Sequence, residues 1–531
     1  MPTETSNLET GAGGLSVASF LLGVPDSAYR SNTVYDITGG YVDRFYVGDQ
    51  WKATNRLTVN IGLGFDLPLY PAYPTLDGGT LDYDNGTYLM VHNFPACSAT
   101  QPAPCIPGGT LPAHVAVATN GKVIQNHYDN WEPHLGLAYR LTSSTALRAS
   151  YARFYDNWGL FTQVLENMTT DWPEAETEGN AAPLNQLTPT TFMTNPLGLT
   201  SVAYPPATPY TESGQDPSPD WRDAHSDQWN LGIQHQLSLN TVITANYVGA
   251  ADDNLSVGNV YNTALTPGPG PIAPRQLWPY LPSSAYDRSV GHSTYHSLQL
   301  SFERKTSRGL TYLLSYTWSK NIDLCSGEFE QGCAPQDPYH LGAEKSVSAA
   351  DLPQMLSFSY NYNVPFGKGR KWQTQNKFID YLIGNWELNG ILSLDSGEAY
   401  YVLAGSDVAN TGSYGERVNL TGQPLYASPR TVAQWLNPNG FALPAAFTYG
   451  NEGRNILRTD WTRNLDFSLF REFPLPFSET SKLQFRVEAF NSLNTPVFGF
   501  PDSTITDPTF GQVFSTLNTE RQVQFALKLF F

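Results

Sequence analysis

The 531-residue sequence lacks any run of about 18 consecutive apolar residues, the length that a transmembrane helix requires. A membrane-spanning helix is therefore excluded from the expected fold. Membrane-spanning β-strands are not excluded, because each needs only about 10 residues with apolar side chains at alternate positions. A chain built from such strands is hydrophilic on average, and the mean hydropathy here is −0.32.

Charged side chains are also scarce, at 15% of residues, and the basic ones are fewer than the acidic ones. Against 48 aspartates and glutamates stand 30 lysines and arginines, which gives a formal net charge of −18. Because nucleic-acid phosphates require a basic surface, this balance argues against a nucleic-acid partner. It fits acidic surface loops, and it fits ordinary solubility equally well.

Glycine, proline and aromatic residues are plentiful, as expected of an all-β chain with many turns. Strand periodicity is clearest in Leu57–Phe65, where apolar side chains at odd positions alternate with Thr58, Asn60, Gly62 and Gly64. A period of two predicts a β-strand with one apolar and one polar face. The pattern recurs and predicts about 14 strands, which begin near residues 14, 41, 55, 133, 145, 227, 241, 295, 310, 354, 385, 461, 481 and 522.

The connections between these strands alternate strictly between short and long. The short ones are turns near Ala53–Asn55, Thr142–Ser144, Ser238–Asn240 and Thr306–Gly309. The long ones are roughly 67–132, 156–226, 250–294, 322–353, 398–460 and 492–521. Outer-membrane barrels have this asymmetry, with short periplasmic turns and long external loops, whereas a soluble sandwich has even connections.

The pattern therefore predicts an all-β fold, a transmembrane antiparallel β-barrel of about 14 strands, located in the outer membrane of a Gram-negative bacterium. The predicted barrel covers residues 14–531, after a polar segment at 1–13. Its last strand runs towards the periplasm. That strand ends in alternating apolar residues, which we interpret as a signal for the barrel assembly machinery: Phe525, Leu527, Leu529 and Phe531.

The order of several segments resembles the Oar-like branch of TonB-dependent receptors. The resemblance runs from about residue 14 to the end of the chain, and no single segment carries it alone. The matching segments are Phe45–Lys52, Asn55–Leu63, Glu132–Arg140, Leu147–Tyr155, Gln228–Gln234, Tyr247–Gly249, Gly309–Lys320, Pro365–Gly369, Phe485–Asn494 and Phe510–Gly511.

The resemblance implies a receptor barrel that takes up or translocates a substrate. Complete receptors of this kind have 22 strands, a plug inside the barrel and a segment that binds the TonB complex; Oar-like members also carry a carboxypeptidase-regulatory-like domain. The sequence shows none of these additional parts. The implied partners are outer-membrane lipid, the barrel assembly machinery and an unknown substrate, with the TonB complex reached only through the plug.

The N-terminal residues Met1–Glu9 show no basic segment followed by an apolar core, so no secretory signal is visible. We therefore expect the chain to be a fragment, the C-terminal two-thirds of a receptor barrel. Two alternatives remain open at this point. One is a surface binding or adhesion barrel without transport, and the other is a truncated gene product.

The four cysteines form two pairs, Cys97 with Cys105 and Cys325 with Cys333, each pair eight positions apart in a long loop. In an oxidising compartment such neighbours can form disulfides, each worth roughly 2–3 kcal/mol in the chain-entropy model. Metal ligation is the competing interpretation, but no Cys-x-x-Cys spacing or nearby histidine cluster supports it.

Other candidate sites are weak. The Asp82–Gly86 stretch resembles a calcium loop but lacks its bidentate glutamate, so a polar turn is favoured. The basic segment Gly367–Lys371 lacks phosphate-loop spacing and falls where a periplasmic turn is expected. His292 and His296 do not share a helix face, and the acidic stretch 171–178 reads as a solvated loop. Because no nucleophile, catalytic carboxylate pair, cofactor motif or metal cluster stands out, we expect a protein that is not an enzyme and uses no cofactor.

Overall fold

A computed structural model describes residues 21, 27–31, 40–70, 79–91, 93, 95, 96, 98, 100, 106–157, 177–181, 215–307, 309–324, 335–373, 375–413, 415–476 and 480–531. Its main feature is one large sheet in which thirteen strands follow each other in chain order, each antiparallel to the next. We call this set of strands the wall. Its strands are β1 (Tyr41–Trp51), β2 (Leu57–Leu69), β3 (Trp131–Arg140), β4 (Thr145–Asp156), β5 (Ala224–Ser238), β6 (Thr241–Tyr261), β7 (Ser284–Ser307), β8 (Leu310–Asp323), β9 (Gln354–Asn363), β10 (Trp386–Asp395), β11 (Thr462–Pro474), β12 (Lys482–Phe490) and β13 (Gln522–Phe530).

The predicted strands are confirmed. Thirteen of the fourteen expected starts have a wall strand, and all but one lie within three residues of it. The first expected strand, near residue 14, lies outside the described residues. Of the residues described, β1 and β13 each have a wall neighbour on one side only.

The exception is β7, which begins at Ser284 and not near residue 295. The expected loop 250–294 was wrong over about half of its length, because β6 and β7 stay paired from Thr241–Arg304 up to Tyr261–Ser284. With 21 and 24 residues, these strands are about twice the length that spans a bilayer. The parts of β6 and β7 next to the connection 262–283, which we call their upper parts, carry polar residues at successive positions, such as Asp252 and Asp253. The alternation of apolar and polar side chains therefore stops there, while the backbone pairing continues.

Strand register gives the wall two chemically different faces. Leu231 pairs with Ala149 and Tyr247, and Leu298 pairs with Tyr247 and Trp318, so one face is apolar across five strands. Since side chains of paired residues point to the same side, the other face collects the polar positions between them. In a barrel the apolar face meets lipid and the polar face lines the lumen.

The connections also follow the predicted alternation. Six connections lie at one end of the wall, and we number these long connections first to sixth: 70–130, 157–223, 262–283, 324–353, 396–461 and 491–521. The other end has the turns 52–56, 141–144, 239–240, 308–309 and 475–481, and the segment 364–385. This segment contains the helix α1 (Lys377–Ile383), which the sequence analysis missed. No helix in the described ranges has both the length and the apolar character to cross a bilayer.

Short elements occupy the long connections, except for Ser27–Ser31, which precedes β1 and pairs with Thr177–Ala181 of the second connection. Gln215–Pro217 adds to β7 in parallel and Ser346–Val347 to β8 antiparallel. The remaining short strands are Ser27–Ser31, Gly79–Asp82, Thr87–Met90, Val115–Val117, Thr177–Ala181, Ala399–Tyr400, Asn419–Leu420, Tyr426–Thr431, Gln434–Leu436, Phe441–Ala442 and Leu457–Arg458. Single 3-10 turns occur at Pro107–Gly109, Thr119–Gly121, Ala273–Arg275, Leu341–Glu344 and Pro438–Gly440.

Candidate functional site: the outer layer and the polar face

The long connections, together with the upper parts of β6 and β7, form a structure that we call the outer layer. Its described residues form two apolar cores. The first joins the first connection to the β6–β7 hairpin through Leu81, Tyr83, Tyr88, Met90, Ile106, Tyr261, Leu281 and Tyr286. Hydrogen bonds fix the contact, because the Tyr83 hydroxyl donates to the Pro282 carbonyl at 2.9 Å and the Trp278 indole donates to the Tyr83 carbonyl at 2.7 Å.

The second core joins the fifth and sixth connections. Its buried side chains are Tyr400, Val402, Val418, Trp435, Leu436, Phe441, Leu457 and Val513. Backbone bonds cross the same contact, from Trp435 N–H to the Gly511 carbonyl at 2.7 Å and from Val513 N–H to the Val432 carbonyl at 2.8 Å. The fifth connection is therefore folded against its neighbour.

Three arginines of the fifth connection bind carboxylates at the end of β8 and in the fourth connection. Arg417 Nη1 lies 2.6 Å from Glu344 Oε2, and the two side chains are 2% and 1% exposed. Arg454 binds Asp323, and Arg458 binds Asp351. Removing one partner from a buried pair leaves an uncompensated charge, so these contacts strongly disfavour separation of the two connections.

Further bonds make the outer layer continuous. Arg275 Nη2 donates to the Asn410 carbonyl at 2.6 Å, which joins the third connection to the fifth. The Tyr339 hydroxyl donates to the Thr263 carbonyl at 2.9 Å, which joins the fourth to the third. At the strand ends, Asp223 accepts bonds from the Tyr70 hydroxyl and from Asn130 Nδ2, which joins the second to the first.

Two glutamates of the fifth connection are held in conditions that favour their neutral forms. Burial raises the pKa of Glu452 to about 8, although its two oxygens both accept from Val402 N–H at 3.2 Å. Burial, followed by the adjacent Asp407 side chain, raises the pKa of Glu416 to about 7. These pKa values mean that the outer layer gains protons on folding near neutral pH.

The polar face of the wall carries amides, hydroxyls and glycines. Asn230 Nδ2 donates to Ser150 Oγ at 2.5 Å, and Asn361 Nδ2 donates to Asn389 Oδ1 at 2.7 Å. In a barrel, a polar face of this kind lines a lumen that water and polar solutes can enter.

The aromatic side chain of Tyr46 also lies on this polar face, since Tyr46 pairs with Gly64. Its ring covers Gly48 and Gly62, where an added Cβ would come within 2.6 and 2.3 Å of the Tyr46 hydroxyl. The two glycines therefore make room for the ring.

The predicted site residues fall as follows. The disulfide candidates Cys97, Cys105, Cys325 and Cys333 lie outside the described residues, and their pairing stays a prediction. Phe525, Leu527 and Leu529 lie on the apolar face of β13, paired with Val487, Phe485 and Leu483, and Phe531 follows the strand. Their role as an assembly signal also stays a prediction.

The remaining candidates have local explanations. Asp82 accepts bonds from the backbone of Asp84 and Asn85, and Asp84 accepts from Ser218 and Tyr286, so this stretch is a polar turn. His292 and His296 belong to β7, and His296 Nδ1 lies 2.8 Å from the Tyr247 hydroxyl. In the described part of the chain, no three His, Cys, Asp or Glu side chains are grouped to hold a metal ion.

The buried arginines were not predicted from the sequence. Arg417 and Glu344 are 73 positions apart, and Arg454 and Asp323 are 131 apart. No local pattern links such residues. The one available signal was the presence of three arginines in a connection with few other basic residues.

A family model, the outer membrane beta barrel domain, matches residues 2–524. No curated protein matches the sequence. Solved structures similar to the chain include the outer membrane transporter YddB from Escherichia coli (10% identity, TM-score 0.42, 93% of this chain and 55% of that one). Others are the siderophore receptor PirA from Acinetobacter baumannii (11%, 0.41, 93% and 46%) and the ferripyoverdine receptor of the outer membrane of Pseudomonas aeruginosa (10%, 0.40, 93% and 39%).

The chain thus spans about half or less of the length of these structures. The family match covers nearly all of the sequence, and the wall has the face pattern and the loop asymmetry of a membrane barrel. The chain belongs to the outer-membrane β-barrel domain family, and its place is the outer membrane of a Gram-negative bacterium.

Proposed function

We propose that this chain is the barrel wall and outer layer of a TonB-dependent transporter of the Oar-like branch, used for substrate uptake or translocation. The observation that carries the proposal is the order of the resembling segments along the wall. Phe45–Lys52 and Asn55–Leu63 fall on the hairpin β1–β2, Glu132–Arg140 and Leu147–Tyr155 fall on β3–β4, and Gly309–Lys320 falls on β8.

In this proposal the outer layer captures the substrate, and the polar face of the wall lines its route. A separate plug domain fills the lumen, and the TonB complex acts on that plug, so the wall itself is passive. The lipid-facing side chains hold the wall in the bilayer, and the last strand engages the assembly machinery. The substrate class is not encoded in any motif of the outer layer, and the protein carries out no catalysis of its own.

The proposal is tested by reconstituting the 531-residue chain into liposomes and measuring solute permeability. Only preparations that migrate differently in gels before and after heating are used, since this behaviour shows a folded barrel. A wall whose plug is a separate domain is expected to pass small polar solutes. A folded, membrane-inserted preparation that remains tight to them would contradict the proposal.

The TonB interaction is tested separately with the periplasmic domain of TonB. The chain alone is expected not to bind it, because the contact belongs to the plug. Direct binding to the wall would show that the energy coupling is assigned to the wrong part of the protein.

A second candidate is a surface binding barrel without transport. It is favoured by the apolar side chains that the outer layer leaves exposed, among them Val432, Leu443, Phe514 and Leu517. In this case the folded chain would be tight to solutes in liposomes, so the permeability measurement distinguishes the two functions.

A further inference from the structure

The helix α1 lies in the segment 364–385, at the end of the wall that carries the short turns, and its composition is unusual for that position. Five of its seven residues are large and apolar, and all five are between 42% and 71% exposed: Phe378, Ile379, Tyr381, Leu382 and Ile383. A seven-residue helix is too short to be stable in water by itself, and exposing this much apolar surface to water is costly. The helix therefore needs a surface to cover it.

The wall holds α1 on its apolar, outward face. Arg471 of β11 donates to the carbonyls of Tyr381 and Asp380, and the ring of Phe473 lies 5.4 Å from that of Tyr381. Arg471 pairs with Trp386 and Phe485, and it lies two positions from Leu469, so it belongs to the lipid-facing row. Trp386 Nε1 also donates to the Leu382 carbonyl at 2.9 Å.

These contacts fix the C-terminal end of the helix. The Arg471 guanidinium binds the Tyr381 carbonyl in the last turn, and also the Asp380 carbonyl, which accepts from Gly384 N–H at 2.9 Å. A positive charge is favourable at this end of a helix. At the other end, the Asn376 side chain accepts from Phe378 N–H at 3.0 Å and from Ile379 N–H at 3.3 Å. The helix is therefore capped at both ends and placed beside the wall, with most of its apolar surface left uncovered by the residues that the structure describes.

Two glycines set the basic segment close against the helix end. An added Cβ at Gly384 would lie 2.9 Å from the Gly367 Cα, and one at Gly367, whose φ is +114°, would lie 2.8 Å from the Gly384 Cα. This contact places the backbone of the basic segment, which carries Lys368, Arg370 and Lys371, beside the C-terminal end of α1, and α1 begins with Lys377. Within 364–385 there are four cations and one carboxylate, in a chain whose net charge is −18.

We propose that the segment 364–385 is a membrane-interface anchor, whose occupant is the phospholipid surface on the periplasmic side of the outer membrane. The apolar side chains of α1 enter the boundary between headgroups and acyl chains, and the neighbouring lysines bind anionic headgroups. A helix with exposed apolar residues and adjacent basic residues has the chemistry of an interfacial helix. Continuity with the lipid-facing row of β11 and β12 gives it the correct depth at the edge of the bilayer.

The test places an environment-sensitive fluorescent amino acid at one leucine at a time in the full chain. Leu382, Leu529 and Leu443 are 54%, 52% and 47% exposed, which makes them a matched set from α1, the lipid-facing wall and the outer layer. The chain is reconstituted into vesicles of phosphatidylethanolamine and phosphatidylglycerol with brominated acyl chains, and folding is checked by heat-modifiable migration.

The probe at Leu382 is expected to be blue-shifted and quenched by bromine, as at Leu529. A red-shifted, unquenched probe, as at Leu443, would overturn the proposal. A blue-shifted but unquenched probe would also overturn it, because the helix would then be covered by protein and not by lipid.

The role of the lysines is tested with the triple variant Lys368→Gln/Lys371→Gln/Lys377→Gln. Quenching at Leu382 is expected to fall in this variant, and to fall in the unmodified chain when phosphatidylglycerol is left out. The matched control is Lys305→Gln, at the β7 end of the same side of the wall, which is expected to change nothing. Equal quenching in all these cases would show that anionic headgroups are not recognised.

Discussion

The wall and the outer layer of this protein use their side chains in opposite ways. In the described part of the chain, every buried apolar side chain except that of Pro68 in β2 lies in the outer layer, for example Leu81, Val418 and Leu436. In the wall the large apolar side chains remain exposed, as at Leu231 and Phe525, because they face lipid. The same apolar residue types are thus core residues in one region and membrane-facing residues in the other.

Charge shows the same contrast. The outer layer buries complete ion pairs such as Arg417–Glu344. The wall has a lipid-facing row and a polar row, and its strength comes from continuous backbone pairing between strands. We therefore expect the outer layer to depend on individual side chains and the wall to depend on which face a side chain occupies.

The largest expected effect is the loss of Arg417. Arg417→Met leaves Glu344 buried without its partner and is expected to destabilise the outer layer by about 3–5 kcal/mol. Hydrogen exchange should then be faster in 335–353 and 396–461, while the wall keeps its heat-modifiable migration. The matched control Arg463→Met removes a more exposed pair with Asp460 and should cost about 0–1 kcal/mol. Equal effects of the two changes would contradict the expectation that the outer layer depends on individual side chains more than the wall does.

The next largest difference between the outer layer and the wall is expected in the free energy of unfolding when an apolar side chain is removed. Leu436 is 0% exposed and Leu231 is 59% exposed. Leu436→Ala is expected to cost about 2–5 kcal/mol because it leaves a cavity in the second core. Leu231→Ala leaves no cavity, because lipid fills the space, so it should cost only the lost transfer of the side chain from water to lipid, about 1–2 kcal/mol. Denaturant unfolding of the two variants in vesicles compares them, and a larger effect at Leu231 would be inconsistent with its assignment to lipid.

Introducing a positive charge by substitution tests the assignment of the two faces of the wall. Leu231→Arg is expected to cost up to about 2–4 kcal/mol, since it places a cation in lipid. Gln234→Arg, three residues along β5 on the polar face, should have little effect. Membrane insertion yield of the two variants is the measurement, and a reversed order would mean that the faces are assigned wrongly.

The smallest effect is that of a change of one pH unit on the stability of the outer layer. The folded-state pKa of Glu452 is about 8, above its ordinary value of 4.5, so its stabilising contribution is complete below about pH 4.5 and is lost as the pH rises through 8. Stability should fall by at most about 1.4 kcal/mol per pH unit in that window for this group. Glu452→Gln should flatten the curve measured by hydrogen exchange of 396–461. An unchanged slope would show that another group titrates.

Much of the wall was predictable from the sequence and most of the outer layer was not. Alternation in segments such as Leu57–Phe65 is enforced by lipid on one side and water on the other, so it marks the strands. Above the membrane that constraint ends, and the extension of β6 and β7 was missed. Arg417 and Glu344 meet only through the fold, and α1 is too short for its period to stand out in 364–385.

The central claim, that the chain is an outer-membrane wall with its long connections at the cell surface, is tested most directly by epitope accessibility on intact cells. An epitope inserted after Leu443 in the fifth connection is expected to bind antibody without any treatment. The same epitope inserted between Leu239 and Asn240, in the turn between β5 and β6, should bind only after the outer membrane is permeabilised. Antibody binding at the turn in intact cells, with none at Leu443, would contradict the account.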